Sequence, residues 1–211
     1  MAERDQNKGR TFPADPPTVD EIVAVMRRAG DGRHGLRARA LIVVLWRSAL
    51  RIQEALALNE TDLDQRRGSV LVASGKGGYR REVGIDPWAL NAVGPWLAER
   101  AQLPVGPLFC VIDGPTRGVR AWSSAAVRAE FRRLAAEAGV RRRFAPHQLR
   151  HAMAVELARE GVPLPILQRQ LGHRNMATTS IYLSGIGIDE VIGRVAARPA
   201  PMMSASAGLE L

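Results

Sequence analysis

A mainly helical domain carrying one small antiparallel β-sheet (α+β) is the fold this sequence predicts. Apolar residues recur at helical spacing along most of the chain, two short β-like runs flank a glycine-rich turn, and capping residues punctuate the segments between them. The first helix starts at Thr18, where Glu21 completes a capping-box pattern, and Ile22, Val23, Val25 and Met26 supply its apolar face up to Gly30. Gly32 to Gly35 reads as a turn, followed by a helix from about Leu36 to Ala49 around Leu41, Val44 and Leu45. Its run Ala40 to Trp46 suits a buried helix and is far too short to span a bilayer. A short helix follows over Arg51 to Leu58.

Ser69 to Ala73 and Arg80 to Ile85 are the β-like runs, and the glycines of the Ser74–Tyr79 connection make a hairpin that displays Lys76 at its tip. Helices resume at Pro87, placed after Asp86 like a first-turn proline, and run to about Ala101. Ser123 to Ala138 packs through Val127, Phe131 and Leu134 and stops at Gly139; Pro146 opens the next helix and Gly161 closes it. Leu164 to Leu171 ends at Gly172, a further helix carries Thr178 to Tyr182, and Asp189 to Ala197 reads as a terminal amphipathic helix. The expected organisation is a flexible leader over 1–17, one domain over 18–197 and a disordered tail over 198–211.

With 30 Lys plus Arg against 21 Asp plus Glu, the chain has a formal charge of +9. Such an excess favours a polyanion, whose condensed counterions are released on binding, although a merely solvated basic surface or an anionic membrane surface fits the charge as well. A single cysteine, Cys110, excludes an internal disulfide and fits a reducing compartment. Met1 to Arg10 is polar, unlike a signal peptide, so the expected location is cytoplasmic.

Chemistry concentrates in Pro146-His-Gln-Leu-Arg-His151, where His147 and Arg150 share a helix face. A guanidinium fork beside an imidazole suits a phosphate, and a solvated basic helix face is the plainer reading. His147 and His151 also have the spacing of a zinc-protease pair. The general-base position holds Gln148, however, and no carboxylate or thiolate stands nearby in sequence, so no metal site is expected. Tyr182, taken alone, is as well read as a core residue with a satisfied hydroxyl.

Together, Arg51, Lys76, His147, Arg150, His173 and Tyr182 resemble, in order and local setting, the tyrosine recombinase or phage-integrase family. The matching segments are Ala49-Leu-Arg-Ile-Gln-Glu-Ala-Leu-Ala-Leu58, Gly75-Lys-Gly-Gly78, His147-Gln-Leu-Arg-His151 and Leu171-Gly-His-Arg with Thr-Thr-Ser-Ile-Tyr182, spread over residues 15 to 197. The resemblance implies the family's catalytic-domain fold and a site-specific DNA recombinase. Arg51 and Arg150 would hold the non-bridging oxygens of a scissile phosphate, and Tyr182 would attack phosphorus to give a 3′-phosphotyrosyl link. Lys76 would protonate the departing 5′-oxygen, His147 would assist proton transfer at Tyr182, His173 would hydrogen-bond the phosphate, and Glu54 would orient Arg51. The bond energy stays in the phosphotyrosine, so the resemblance implies no cofactor, neither metal nor ATP.

The implied partners are double-stranded DNA and further copies of the chain, four on two sites, with the C-terminal helix as a docking element. Arg80, Arg81, Arg141, Arg142 and Arg143 are candidates for flanking phosphates, or ordinary surface arginines. The alternatives are a type IB topoisomerase-like relaxing activity and a catalytically decayed DNA-binding or architectural protein. Most members carry a separate DNA-binding domain ahead of the catalytic one, so this chain resembles the small one-domain members or a fragment. Ala49 replaces a favoured Gly, Tyr79 a basic residue and Ala152 a frequent Thr.

Overall fold

The computed structural model describes residues 16–73, 80–172 and 188–201. Eight helices are described: α1 (Val19–Arg28), α2 (Arg33–Arg47), α3 (Ile52–Leu56), α4 (Pro87–Arg100), α5 (Ser124–Glu137), α6 (Pro146–Arg159), α7 (Leu164–Leu171) and α8 (Ile188–Ala196). Strands β1 (Leu63–Asp64), β2 (Ser69–Val72) and β3 (Arg81–Gly84) form an antiparallel sheet in the order β1-β2-β3. β1 and the 3-10 turn Glu60–Asp62 before it were not expected from sequence, because two residues carry no periodicity. The expected leader up to Asp15, the Ser74–Tyr79 hairpin loop and the Thr178–Tyr182 helix lie outside the described residues.

Local chemistry sets most helix ends. Thr18 and Glu21 form the capping box, with Thr18 N–H donating to Glu21 Oε2 at 2.8 Å and Glu21 N–H to Thr18 Oγ1 at 3.2 Å. Asp86 and Ser123 cap α4 and α5 by accepting from Ala89 and Ala126 N–H at 3.1 Å each. Helix α2 starts three residues before its expected first turn, since Gly32 is its N-cap rather than part of a loop. It is buried nearly all round, Ala40 to Trp46 having no exposed surface, and packs against α4 and α6 at the centre of the core.

Helix α8 lies on β3 and α7. Its Val195 fits over Gly84 so closely that a Cβ on that glycine would stand 2.5 Å from the valine Cβ. The edge strand β3 finds a second partner in Gln170 of α7, fully buried: Gly84 N–H donates to its Oε1 at 2.9 Å, and its Nε2 donates to Gly84 O at 2.8 Å and Ser48 O at 3.2 Å. A side-chain amide thus continues the ladder where the described residues supply no fourth strand.

Beyond α8, Arg198 is buried between Glu156 (2.7 Å) and Glu160 (3.1 Å) of α6. Glu156 also accepts from Trp46 Nε1 at 2.6 Å, and the neighbouring Arg47 is paired to Asp86 at 2.6 Å and donates to Pro199 O at 3.2 Å. The segment just after Ala197, placed by sequence in the tail, is thereby tied to α2 and α6. Pairing of this kind offsets the desolvation of buried charge that an isolated arginine would suffer. Among the described residues no helix is long and apolar enough to cross a membrane.

Candidate active site

The site is built where α3, the β3 start, α6 and the end of α7 meet. The chain turns between α2 and α3 through Ala49, which is fully buried at φ 54, the left-handed region that L residues other than Gly avoid. This is the position where the resemblance favours Gly, so the structure supplies the physical reason for that preference. Arg51 follows as the N-cap of α3, and Glu54 on the first turn takes both its backbone N–H (2.9 Å) and its Nη1 (3.0 Å).

Arg150 projects from α6 into the interior, 4% exposed, and donates from Nη1 to Ala49 O at 2.6 Å and from Nη2 to Leu171 O. Two of its five N–H groups are thus fixed by main-chain carbonyls. Burial, then the charge of Arg51, pulls this guanidinium down to about 10, with Glu54 partly restoring it and Arg81 lowering it further. Two carbonyls and one shared carboxylate therefore hold a cluster rich in positive charge.

That carboxylate is Glu54, 4% exposed, and its second cation is Arg81, whose Nη1 and Nη2 donate to Oε1 and Oε2 at 2.9 Å each. Burial by itself would raise the Glu54 carboxyl. The hydrogen bonds from Arg81 and the Arg51 N–H, with the Arg81 charge, outweigh it and hold the group below the usual carboxylate range. Arg51, Arg81 and Arg150 thus set three guanidinium groups against one carboxylate, and Arg51 is the most open to solvent, its side chain 38% exposed against 20% for Arg81.

His147 lies one turn before Arg150 on α6, and its Nε2 is 2.8 Å from His151 Nε2, so one ring donates and the other accepts. Desolvation, followed by His151, Arg150, Arg143 and Arg51, lowers its pKa and favours the neutral imidazole a proton acceptor requires. The role of His151 as partner was not read from sequence, where it closed a family-matching segment and was weighed as a zinc ligand. Among the described residues no group of three or more His, Cys, Asp or Glu could hold a metal ion.

Four sequence-predicted residues, Arg51, Glu54, His147 and Arg150, are therefore brought together, while Lys76, His173 and Tyr182 lie outside the described residues. The described chain fixes the flanks of the first two: β2 and β3 bracket the Lys76 segment, and Gly172, with φ 61, ends α7 directly before His173. Gly172 O also accepts from Arg51 Nη2 at 3.4 Å.

The pattern of the phage integrase family matches residues 17–185. The chain belongs to this family. It is 35% identical over 164 residues to the tyrosine recombinase XerC of Xanthomonas axonopodis pv. citri, covering 78% of this chain and 52% of that protein. With the tyrosine recombinase XerD of Mycobacterium tuberculosis it shares 32% over 177 residues, covering 78% and 55%. The chain thus spans about half the length of the curated relatives it matches. Among solved structures, XerA recombinase superposes with a TM-score of 0.65 at 26% identity, over 82% of this chain and 60% of that one. XerH bound to its difH substrate before cleavage gives 0.65 at 27%, over 82% and 51%. The mainly helical fold with its small sheet is that of the tyrosine recombinase catalytic domain.

Of the peripheral arginines, Arg80, Arg141, Arg142 and Arg143 are exposed, whereas Arg81 is spent on Glu54. Arg142 pairs with Glu21 at 2.9 Å. Arg142 and Arg143 line a groove of about 450 Å³ with Arg128 and Arg132, over a floor that includes Val140 and Phe144. Arg128 and Arg132 were missed by sequence reasoning, though their spacing on a helix would have put them on one face.

Proposed function

We propose that this chain is the catalytic domain, residues 18–197, of a site-specific DNA recombinase that cuts and rejoins strands through Tyr182. The observation that carries this reading is the convergence of Arg51 and Arg150, neutralised only in part by Glu54, beside a His147 whose surroundings disfavour its protonation. Concentrated positive charge of this kind is what a phosphodiester transition state requires. Arg51 and Arg150 bind the two non-bridging oxygens. The Tyr182 oxygen attacks phosphorus as His147 takes its proton; the bond to the 5′-oxygen breaks, and Lys76 gives that oxygen a proton. His173 hydrogen-bonds the phosphate. The product is a 3′-phosphotyrosyl bond and a free 5′-hydroxyl, and the reverse reaction with a 5′-hydroxyl of another strand rejoins DNA. The relative XerH, solved on its difH substrate, supports DNA as the partner.

The test is covalent trapping on nicked duplexes drawn from the DNA beside the chain's own gene, in EDTA. An SDS-resistant adduct with the native chain and none with Tyr182→Phe is the expected result. An adduct that persists in Tyr182→Phe would overturn the assignment. Strand exchange requires two sites, so the same reading places four protomers on two duplexes with the C-terminal helix as a docking element. Deleting the residues after Gly185 should then impair self-association on DNA along with cleavage, and unchanged behaviour would remove that element.

A further inference from the structure

Three observations single out Arg81. Both of its Nη groups are committed to Glu54 at 2.9 Å, in the paired fork that gives Arg–carboxylate contacts their fixed geometry. Its Nε is buried with no hydrogen-bond partner. It lies so close to Gly172 that a Cβ there would stand 2.6 Å from that Nε. Arg81 is also the first residue of β3, paired in register with Val72, so it closes the stem of the segment bearing Lys76. One residue thus pairs with the carboxylate that holds Arg51, closes the strand pair that brackets the Lys76 segment, and stands against Gly172, the residue before His173.

We propose that Arg81 is a positioning residue of the recombination site, acting through Glu54 on Arg51 rather than by touching DNA. This rests on the recombinase reading. Without Arg81, the Glu54 carboxylate is held only by the Arg51 N–H and Nη1 among the described residues, and it loses the paired fork that ties both of its oxygens to a second segment. Arg51, the most open of the three guanidinium groups, then has a less constrained acceptor to preset it for a phosphate. A phosphate-contacting arginine would behave differently, because each neutralised phosphate adds about one unit to the salt dependence of DNA affinity. The geometry favours positioning, since both Nη groups of Arg81 are committed to Glu54 and its remaining Nε is buried.

The experiment compares Arg81→Ala, Arg81→Lys, Glu54→Gln and the Arg81→Ala/Glu54→Gln double variant with the native chain. Readouts are the single-turnover rate of adduct formation at saturating nicked duplex, the DNA affinity from 50 to 200 mM salt, and the melting temperature. Misplacing a catalytic group by an ångström costs about a hundredfold, so Arg81→Ala should slow cleavage by roughly ten- to a hundredfold. Its salt slope should match the native one, the double variant should be no slower than the slower single, and Arg81→Lys should recover part of the rate. A salt slope reduced by about one with losses that multiply would make Arg81 a phosphate contact and overturn the proposal. Lower melting temperatures with a native rate per folded molecule would overturn it as a purely structural residue. No adduct from the native chain would remove the recombinase reading, and this inference with it; native activity with multiplying losses would remove this inference alone.

Discussion

Replacing Gln170 by Leu isolates the contribution of one buried amide. The side chain is fully buried and makes three hydrogen bonds, with Gly84 N–H, Gly84 O and Ser48 O, at 2.9, 2.8 and 3.2 Å. Leucine is close in volume, so little cavity forms and the loss is mainly polar. Each of the three main-chain groups left unpaired costs about 1–3 kcal/mol. Burying the leucine returns about 1.5–3 kcal/mol. A net loss of about 3–5 kcal/mol follows, since the three groups together cost about 6 kcal/mol at the central value and the leucine returns about 2 kcal/mol. For a domain of this length that corresponds to a fall in melting temperature on the order of 10 °C. Urea denaturation followed by circular dichroism measures it directly, as a lower midpoint with an unchanged slope. A loss below about 1 kcal/mol would refute the reasoning, by showing that water or another residue satisfies β3 in place of the amide.

Other substitutions test other parts of the site. Ala49→Gly should stabilise the fold by about 0.5–1 kcal/mol, because left-handed backbone strain of about 1–2 kcal/mol is relieved at the cost of a more flexible unfolded chain. A clear destabilisation in urea melts would contradict the strain at φ 54. Glu54→Gln should destabilise the domain by about 2–4 kcal/mol near pH 7, as a buried carboxylate partner is lost to two partly exposed arginines. The sign with pH is set by the lowered Glu54 pKa: its contribution is complete above the ordinary carboxylate value and is lost as pH falls through the folded one. The gap between the native chain and Glu54→Gln should therefore shrink below about pH 4, and a gap constant from pH 6 to 3.5 in thermal melts would argue against a charged Glu54. For His147 the lowered pKa has the same sign: the unfolded chain binds its proton more readily, so stability rises with pH between the two pKa values. The acid limb of the cleavage rate should accordingly fall below the ordinary histidine range, and a limb above it would argue against His147 as the proton acceptor.

The sequence by itself determined the helices, the hairpin stem and the family, because these depend on local signals. Thr18, Asp86 and Ser123 act within one helical turn, Gly172 ends a helix by its own backbone freedom, and the apolar spacing of α2 already requires burial. The candidate residues were legible for a related reason, since His147 and Arg150 share one turn of α6, and so do Arg51 and Glu54 at the start of α3. Partnerships between distant segments were not legible. Arg81 read as a candidate for a flanking phosphate or an ordinary surface arginine, Gln170 carried no signal, and Arg198 stood at the start of the tail. Nothing in their neighbours along the chain marks them as buried. Tertiary structure decided these roles by bringing Glu54, Gly84 and Glu156 to them from 27, 86 and 42 residues away. A buried charge or amide must be matched by a partner of opposite polarity wherever the fold supplies one, and that choice is made in space rather than in sequence.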